Sequence, residues 1–160
     1  SPSKQTLPYT YLVSSNMETS GDWAVGNGET IIFLVDGNVT IKGKVNITGT
    51  GFVSFIAKGT ITIDPTVGVP YSSTTPAVEG IYITSPTGSF ATGNSTNPGT
   101  ERFVGHGMFI AGSFLLQRDL ASVDQNHTTS AELFIHYPQL LLTMPEKMKE
   151  MKVRWMEVAP

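Results

Sequence analysis

Two stretches of the chain, FLVDGNVTI at residues 33–41 and FIAKGTITI at residues 55–63, repeat each other 22 residues apart. Phenylalanine falls on phenylalanine, glycine on glycine, and a Thr-Ile pair on a Thr-Ile pair. In a hairpin meander, turn signals recur but the side chains of successive strands need not match. In a parallel β-solenoid they must match, because equivalent residues of successive coils stack within one narrow core. The repeat therefore predicts an all-β fold, a single-stranded parallel β-solenoid (β-helix).

Later segments extend the repeat less regularly. The segment GIYITSPTGSF at residues 80–90 is a looser copy, and FIAGSFLL at residues 109–116 matches FIAKGTITI with one residue deleted before the glycine. Together they predict about four coils. Two segments rich in Pro, Gly, Ser and Thr, 64–79 and 91–103, interrupt the coils. Each falls between corresponding strands, so we expect both to be long excursions that leave the same side of the stack.

The length of 160 residues fits a single domain. Its coils are predicted to occupy residues 31–116, preceded by a lead-in or cap at residues 1–30. A solenoid exposes its core at both ends and therefore needs atypical terminal segments. We expect residues 117–160 to form the C-terminal capping region, with a short charged helix after Pro145 and a final VRWMEV strand.

The composition excludes several classes of protein. Charged residues make up only 14% of the chain, too few for the solvated faces of a helical bundle. The net charge of −3 argues against a nucleic-acid partner, which needs clustered Lys and Arg. The absence of cysteine excludes disulfides and thiolate metal sites, and it fits a bacterial or archaeal surface protein at least as well as a cytosolic one.

No run of 18 apolar residues occurs that could span a membrane. The chain opens with SPSKQT, without Met or a signal-peptide pattern, so we expect a trimmed fragment. If the protein is anchored to a membrane, the anchor is then expected in a missing upstream segment.

The acidic residues do not form a catalytic pair of the kind that glycoside hydrolysis needs. Asp36 falls one coil before Lys58, which predicts an exposed ion pair. Asp64 precedes a proline and is predicted to be a turn residue, and Arg118 and Asp119 are predicted to form a local salt bridge. We therefore assign no catalytic residue and expect no enzymatic activity.

The three histidines are scattered without the spacing of metal ligands, and no carboxylate string resembles a calcium loop. His106 lies between two glycines and is predicted to be a corner residue that bonds to the backbone. We therefore expect neither a metal site nor a cofactor.

Aromatic side chains are the candidates for ligand binding, because sugar rings stack on exposed aromatic faces. Tyr82 alternates with Ile81 and Ile83, so it is predicted to point outward if the two isoleucines point inward. The four candidates are Tyr71, Tyr82, Trp23 and Trp155.

The segment AELFIHYPQLLLTMPE at residues 131–146 is followed by W-x-E-V-A-P at residues 155–160. This ending resembles those of pilin-like or surface-anchored β-rich proteins of candidate-phyla bacteria, and the resemblance is clearest over residues 101–160. In that group an apolar membrane or pilin-type segment precedes a β-rich outer region. The resemblance implies an extracellular location and neighbouring subunits as partners, and it supplies no catalytic residues.

Three functions remain open from the sequence. The first is a non-enzymatic extracellular structural or adhesive module of a cell-surface or pilus-like protein, whose partners are neighbouring subunits. The second is a carbohydrate-binding module that recognises a surface glycan, and the third is a small polysaccharide-active enzyme. Exposed aromatic side chains on one face would favour the carbohydrate-binding module. Two carboxylates facing each other across a groove would favour the enzyme.

Overall fold

Short parallel strands build the computed structural model, which describes residues 9–149. The strands are β1 (Tyr9–Val13), β2 (Met17–Glu18), β3 (Trp23–Val25), β4 (Thr30–Val35), β5 (Val39–Ile41), β6 (Val45–Ile47), β7 (Phe52–Ala57), β8 (Ile61–Ile63), β9 (Val78–Thr84), β10 (Ser89–Ala91), β11 (Phe103–Ile110), β12 (Ser113–Leu115) and β13 (Glu132–His136). Within this range, three short helices follow the last coils: α1 (Val123–Thr128), α2 (Gln139–Thr143) and α3 (Glu146–Lys149). The predicted helix after Pro145 is thus present, and the predicted VRWMEV strand lies outside the described residues.

The strands stack in three columns, and successive members of each column are parallel. The first column contains β1, β4, β7 and the ends of β9 and β11. The second contains β2, β5, β8, β10 and β12. The third contains β3, β6, the beginnings of β9 and β11, and β13. The predicted parallel β-solenoid of about four coils is confirmed.

The N-terminal segment continues the same arrangement. In each column its strand pairs with the next coil at an offset of 22 residues: Tyr11 with Phe33, Met17 with Val39, and Trp23 with Val45. Residues 9–25, which lie within the predicted lead-in or cap, are therefore a coil themselves.

Side chains stack in the core as the repeat predicts. Phe33 and Phe55 are register partners with ring centroids 5.1 Å apart. The pairs Val39 with Ile61 and Ile41 with Ile63 are also in register and fully buried. On the surface, Lys58 lies 2.9 Å from Asp36 in the predicted ion pair. The regular coils therefore follow the sequence repeat both inside and outside.

Three excursions leave the stack between the second and third columns, at residues 64–77, 92–102 and 116–131. The first two meet, because Val69 and Arg102 exchange two backbone hydrogen bonds of 2.9 and 3.0 Å. The prediction that both leave the same side is thus confirmed. Asp64 begins the first excursion as a turn residue, as predicted, with its carboxylate accepting the Thr66 N–H at 3.0 Å.

Arg118, in the third excursion, ties all three excursions together. Its side chain is buried, and its guanidinium donates to main-chain carbonyls of the first and second excursions. The acceptors are the carbonyls of Asp64, Pro65, Val67 and Thr92. Burial lowers the pKa of this guanidinium, and the nearby carboxylates of Glu132, Asp64 and Glu101 oppose that shift. The predicted Arg118–Asp119 salt bridge is wrong: Arg118 bonds to the backbone, and the Asp119 carboxylate accepts from Asn126 at 2.9 Å.

The C-terminal region supplies the last strand of the third column and then packs against the side of the stack. β13 pairs with the beginning of β11 and so adds one strand to the third column. The chain then turns along the side of the stack, where α2 lies beside the corner at Gly49–Gly51, between β6 and β7. Leu140 of α2 is buried there. Within the described residues, the predicted capping region therefore supplies the last strand of the third column and packs against the side of the stack with its remainder.

A close backbone approach occurs where the third column passes into the first. Gly107 lies in register with Gly80, and a Cβ added to Gly107 would collide with the Gly80 carbonyl oxygen. We expect Gly107→Ala to lower the free energy of unfolding by about 1–3 kcal/mol in urea titrations, because the two coils must separate locally. Gly26→Ala is the control, since the added methyl would meet its nearest neighbour, Glu29 Oε2, at 3.4 Å. Equal stabilities of the two variants would contradict this account.

Candidate functional site

Two of the four aromatic candidates lie in the core. Tyr82 is fully buried and stacks between Phe55 and Phe109, with centroid distances of 5.4 and 5.2 Å. Its hydroxyl donates to the Glu79 carbonyl at 3.1 Å, and burial raises its pKa. The predicted outward orientation of Tyr82 is therefore wrong. Trp23 is also buried, tilted against Phe33 and Phe55.

The other two candidates differ in position. Tyr71 lies on the first excursion with 42% of its surface exposed. Trp155 lies outside the described residues. Pro70, next to Tyr71, lines a polar cleft with Lys42, Lys44 and Glu101. The structure thus leaves Tyr71 as an exposed aromatic beside polar groups, without bringing it together with Trp23 or Tyr82.

The C-terminal end of the stack, which we call the open end, carries unpaired strand edges. Among the described residues, β12 pairs only with β10, and Met108–Ile110 pairs only with β9. In the second column of the earlier coils, Val39 donates its N–H to the Thr60 carbonyl of the next coil at 2.8 Å. Register places Phe114 at the position equivalent to Val39, where no later strand of residues 9–149 follows. The open end therefore presents backbone groups suited to strand addition.

The open end is also apolar. Phe114 is 44% exposed and Leu116 57% exposed, and Ile110 and Phe134 lie beside them. These side chains line a groove of about 570 Å³ together with Phe109. The rings of Phe114 and Phe134 meet edge to face with centroids 6.0 Å apart. Exposed aromatic and aliphatic groups concentrated at one place typically mark an interaction surface.

The open end does not follow from the sequence prediction, in which residues 117–160 cap the last coil. A signal was present in SFLLQ at residues 113–117, whose apolar residues continue the core ladder. No further copy of the repeat follows them in the sequence. The fourth predicted coil was therefore recognisable, but the path of the chain after it was not.

A second polar cluster involves Glu79 and His106. The Glu79 carboxylate lies 2.8 Å from His106 Nδ1, and its other oxygen accepts the Ile47 N–H at 2.7 Å. The His106 ring stacks on Tyr137 with centroids 4.0 Å apart. The predicted backbone bond of His106 is therefore wrong, because a carboxylate from the preceding coil takes that place. This cluster joins the C-terminal region to the side of the coils.

Residues 9–149 contain no grouping of three or more His, Cys, Asp or Glu side chains placed to bind a metal ion. None of the helices in that range has the length and apolar character needed to cross a membrane.

Comparison with known proteins finds no match for this chain among family models, curated proteins or solved structures.

Proposed function

We propose that the chain is a non-enzymatic structural and adhesive module of a cell-surface or pilus-like assembly, and that it joins its neighbours through the open end. The observation that carries this proposal is the combination of free strand edges with exposed apolar side chains at one end of the stack. Either feature alone is common on soluble proteins. Together they match what a strand-adding partner needs, namely backbone groups for hydrogen bonds and apolar pockets for side chains.

The chain's composition supports an extracellular role. Cysteine is absent and charged residues are few, while Ser, Thr and Gly are frequent. The resemblance of residues 101–160 to pilin-like or surface-anchored proteins points the same way. In repeat modules of this kind the contacts between coils run along one axis, because each coil touches only its neighbours. A stack that ends in strand edges unpaired within residues 9–149 is therefore suited to serve as a building element.

Self-association tests the proposal. We expect the full chain to associate with increasing concentration in sedimentation-velocity experiments. Leu116→Lys should weaken this association at least about tenfold, because it places a charge in an apolar contact and beside a strand edge. The matched control is Leu142→Lys on α2, where the leucine is 78% exposed and does not line the open end. This control should associate like the wild type.

A wild-type chain that stays monomeric at every concentration would overturn the proposal. Equal weakening by Leu116→Lys and Leu142→Lys would show that the association is nonspecific. Circular dichroism spectra of both variants should match the wild type, so that a loss of association is not a loss of fold. Release of oligosaccharides from a polysaccharide panel, lost on Glu101→Ala or Asp119→Ala, would replace the proposal with the enzymatic alternative.

The carbohydrate-binding alternative rests on Tyr71. This residue is exposed and follows Pro70, which lines the polar cleft with Lys42, Lys44 and Glu101. An aromatic face beside hydrogen-bonding groups is the usual arrangement of a sugar subsite. Binding of the full chain to a glycan array that is lost on Tyr71→Ala would favour this function over the structural one.

A further inference from the structure

Among residues 9–149, both ends of the stack present the same three columns of strands. At the N-terminal end, β2 and β3 are edge strands, each of which pairs only with the following coil within that range. At the open end the edge strands within the same range are Met108–Ile110, β12 and β13. We infer that the open end of one copy receives the N-terminal coil of a second copy, so that copies join head to tail. This inference rests on the proposed function and names the partner.

Strand direction favours this arrangement over its alternative. All neighbouring strands within the stack are parallel, and a second copy placed below the first in the same orientation keeps every new pair parallel. Joining two open ends requires turning one copy over, which reverses its strands and matches only one column with its own kind. The head-to-tail contact therefore repeats the coil-to-coil packing that the fold already uses.

The core ladders continue across the proposed contact. Met17 begins a ladder of register partners that runs through Val39, Ile61 and Phe90 to Phe114. Phe90, inside the stack, is 1% exposed, whereas Phe114 at the end is 44% exposed. Met17 at the other end is half-buried. A second copy would place its Met17 below Phe114, so that both side chains become enclosed as Phe90 is.

Backbone hydrogen bonding supplies the register. Val39 donates to the carbonyl of Thr60, the residue before its register partner Ile61. By the same rule, the Phe114 N–H of one copy would donate to the carbonyl of Asn16 in the second copy, the residue before Met17. This contact is heterologous, so it leaves each added copy with another open end and produces an open chain of copies rather than a closed dimer.

Cysteine cross-linking tests the orientation cleanly, because the chain contains no cysteine. A second ladder of register partners runs from Glu18 through Thr40, Thr62 and Ala91 to Leu115. In the proposed contact, Glu18 of the second copy is the neighbour of Leu115 at the strand spacing of about 4.8 Å. This spacing lies within the Cα separations that a disulfide spans. Both residues are exposed.

Oxidation of a mixture of Glu18→Cys and Leu115→Cys chains should give a linked dimer that contains one of each. We expect at least about tenfold more of it than from Glu18→Cys mixed with Leu142→Cys, a pairing not brought together by the contact. Neither variant oxidised alone should dimerise efficiently. A chain carrying both substitutions should form a ladder of linked oligomers, since the contact does not close.

Efficient self-linking of Leu115→Cys would overturn the inference in favour of two open ends meeting. The inference would also be overturned if the two cysteine variants gave no mixed dimer although the wild type associates and Leu116→Lys weakens that association. The proposed function would then still stand. A wild type that does not associate at all would contradict both the head-to-tail inference and the proposed function. Both cysteine variants should keep the circular dichroism spectrum of the wild type, because the Glu18–Lys42 pair that one of them loses is exposed.

Discussion

Replacing Arg118 by methionine is expected to lower the free energy of unfolding by about 3–5 kcal/mol or more. Methionine keeps much of the apolar stem but removes every donor. The carbonyls of Asp64, Pro65, Val67 and Thr92 then lose a shared charged partner in a buried position. Each unsatisfied buried carbonyl costs about 1–3 kcal/mol, although water entering the site offsets part of this. Urea unfolding followed by circular dichroism measures the loss.

Two further variants show whether the geometry of Arg118 matters. Arg118→Lys keeps the charge but offers a point donor in place of a planar fork, so it should recover only a minor part of the lost stability. Lys58→Met removes an exposed cation from its pair with Asp36 and should leave the unfolding midpoint unchanged. If Arg118→Met unfolds at the wild-type midpoint, the excursions are not held together by this residue.

Phe55→Ala is expected to cost about 3–5 kcal/mol through the cavity left in the core. Phe55 is fully buried in the middle of the aromatic stack, between Phe33 and Tyr82. Trp23 also contacts its ring, with centroids 6.0 Å apart. These neighbours belong to three other coils, so they cannot all move into the gap at once. The effect is measured as the shift of the unfolding midpoint in urea, with both proteins fitted to the same m value.

The control for Phe55→Ala is Leu12→Ala, a truncation on the first column at a side chain that is 80% exposed. Its removal takes little surface out of the core and should change stability only slightly. Since domains are commonly stable by only about 5–15 kcal/mol, the two substitutions are expected to differ in whether the protein folds at all at elevated temperature. Similar midpoints for both variants would mean that the aromatic stack contributes little.

The regular coils could be predicted from sequence because their information is local and repeated. Each coil places equivalent side chains at a fixed count along the chain, so a 22-residue period predicts which residues touch. Phe33 on Phe55, Val39 on Ile61 and the Asp36–Lys58 pair all follow from that count. Nothing beyond the period and the alternation of a strand was needed.

The 22-residue period no longer predicts register partners once an excursion interrupts the coils. Tyr82 lies 27 residues after its register partner Phe55, and both neighbours of Tyr82 are apolar. Alternation alone therefore could not decide which side of β9 faces the core. Packing decides it, because the aromatic ladder of the preceding coils accepts an aromatic ring in line with Phe55.

The sequence by itself thus determined the fold class, the regular coils and the place of the excursions, because these depend on neighbours at a constant spacing. Only the tertiary structure decided the contacts of Arg118, which reach 54 residues back to Asp64. It also decided the path of the C-terminal region, where β13 adds to the third column and α2 turns to the side. Such contacts depend on where irregular segments return in space, and no periodic pattern encodes that return.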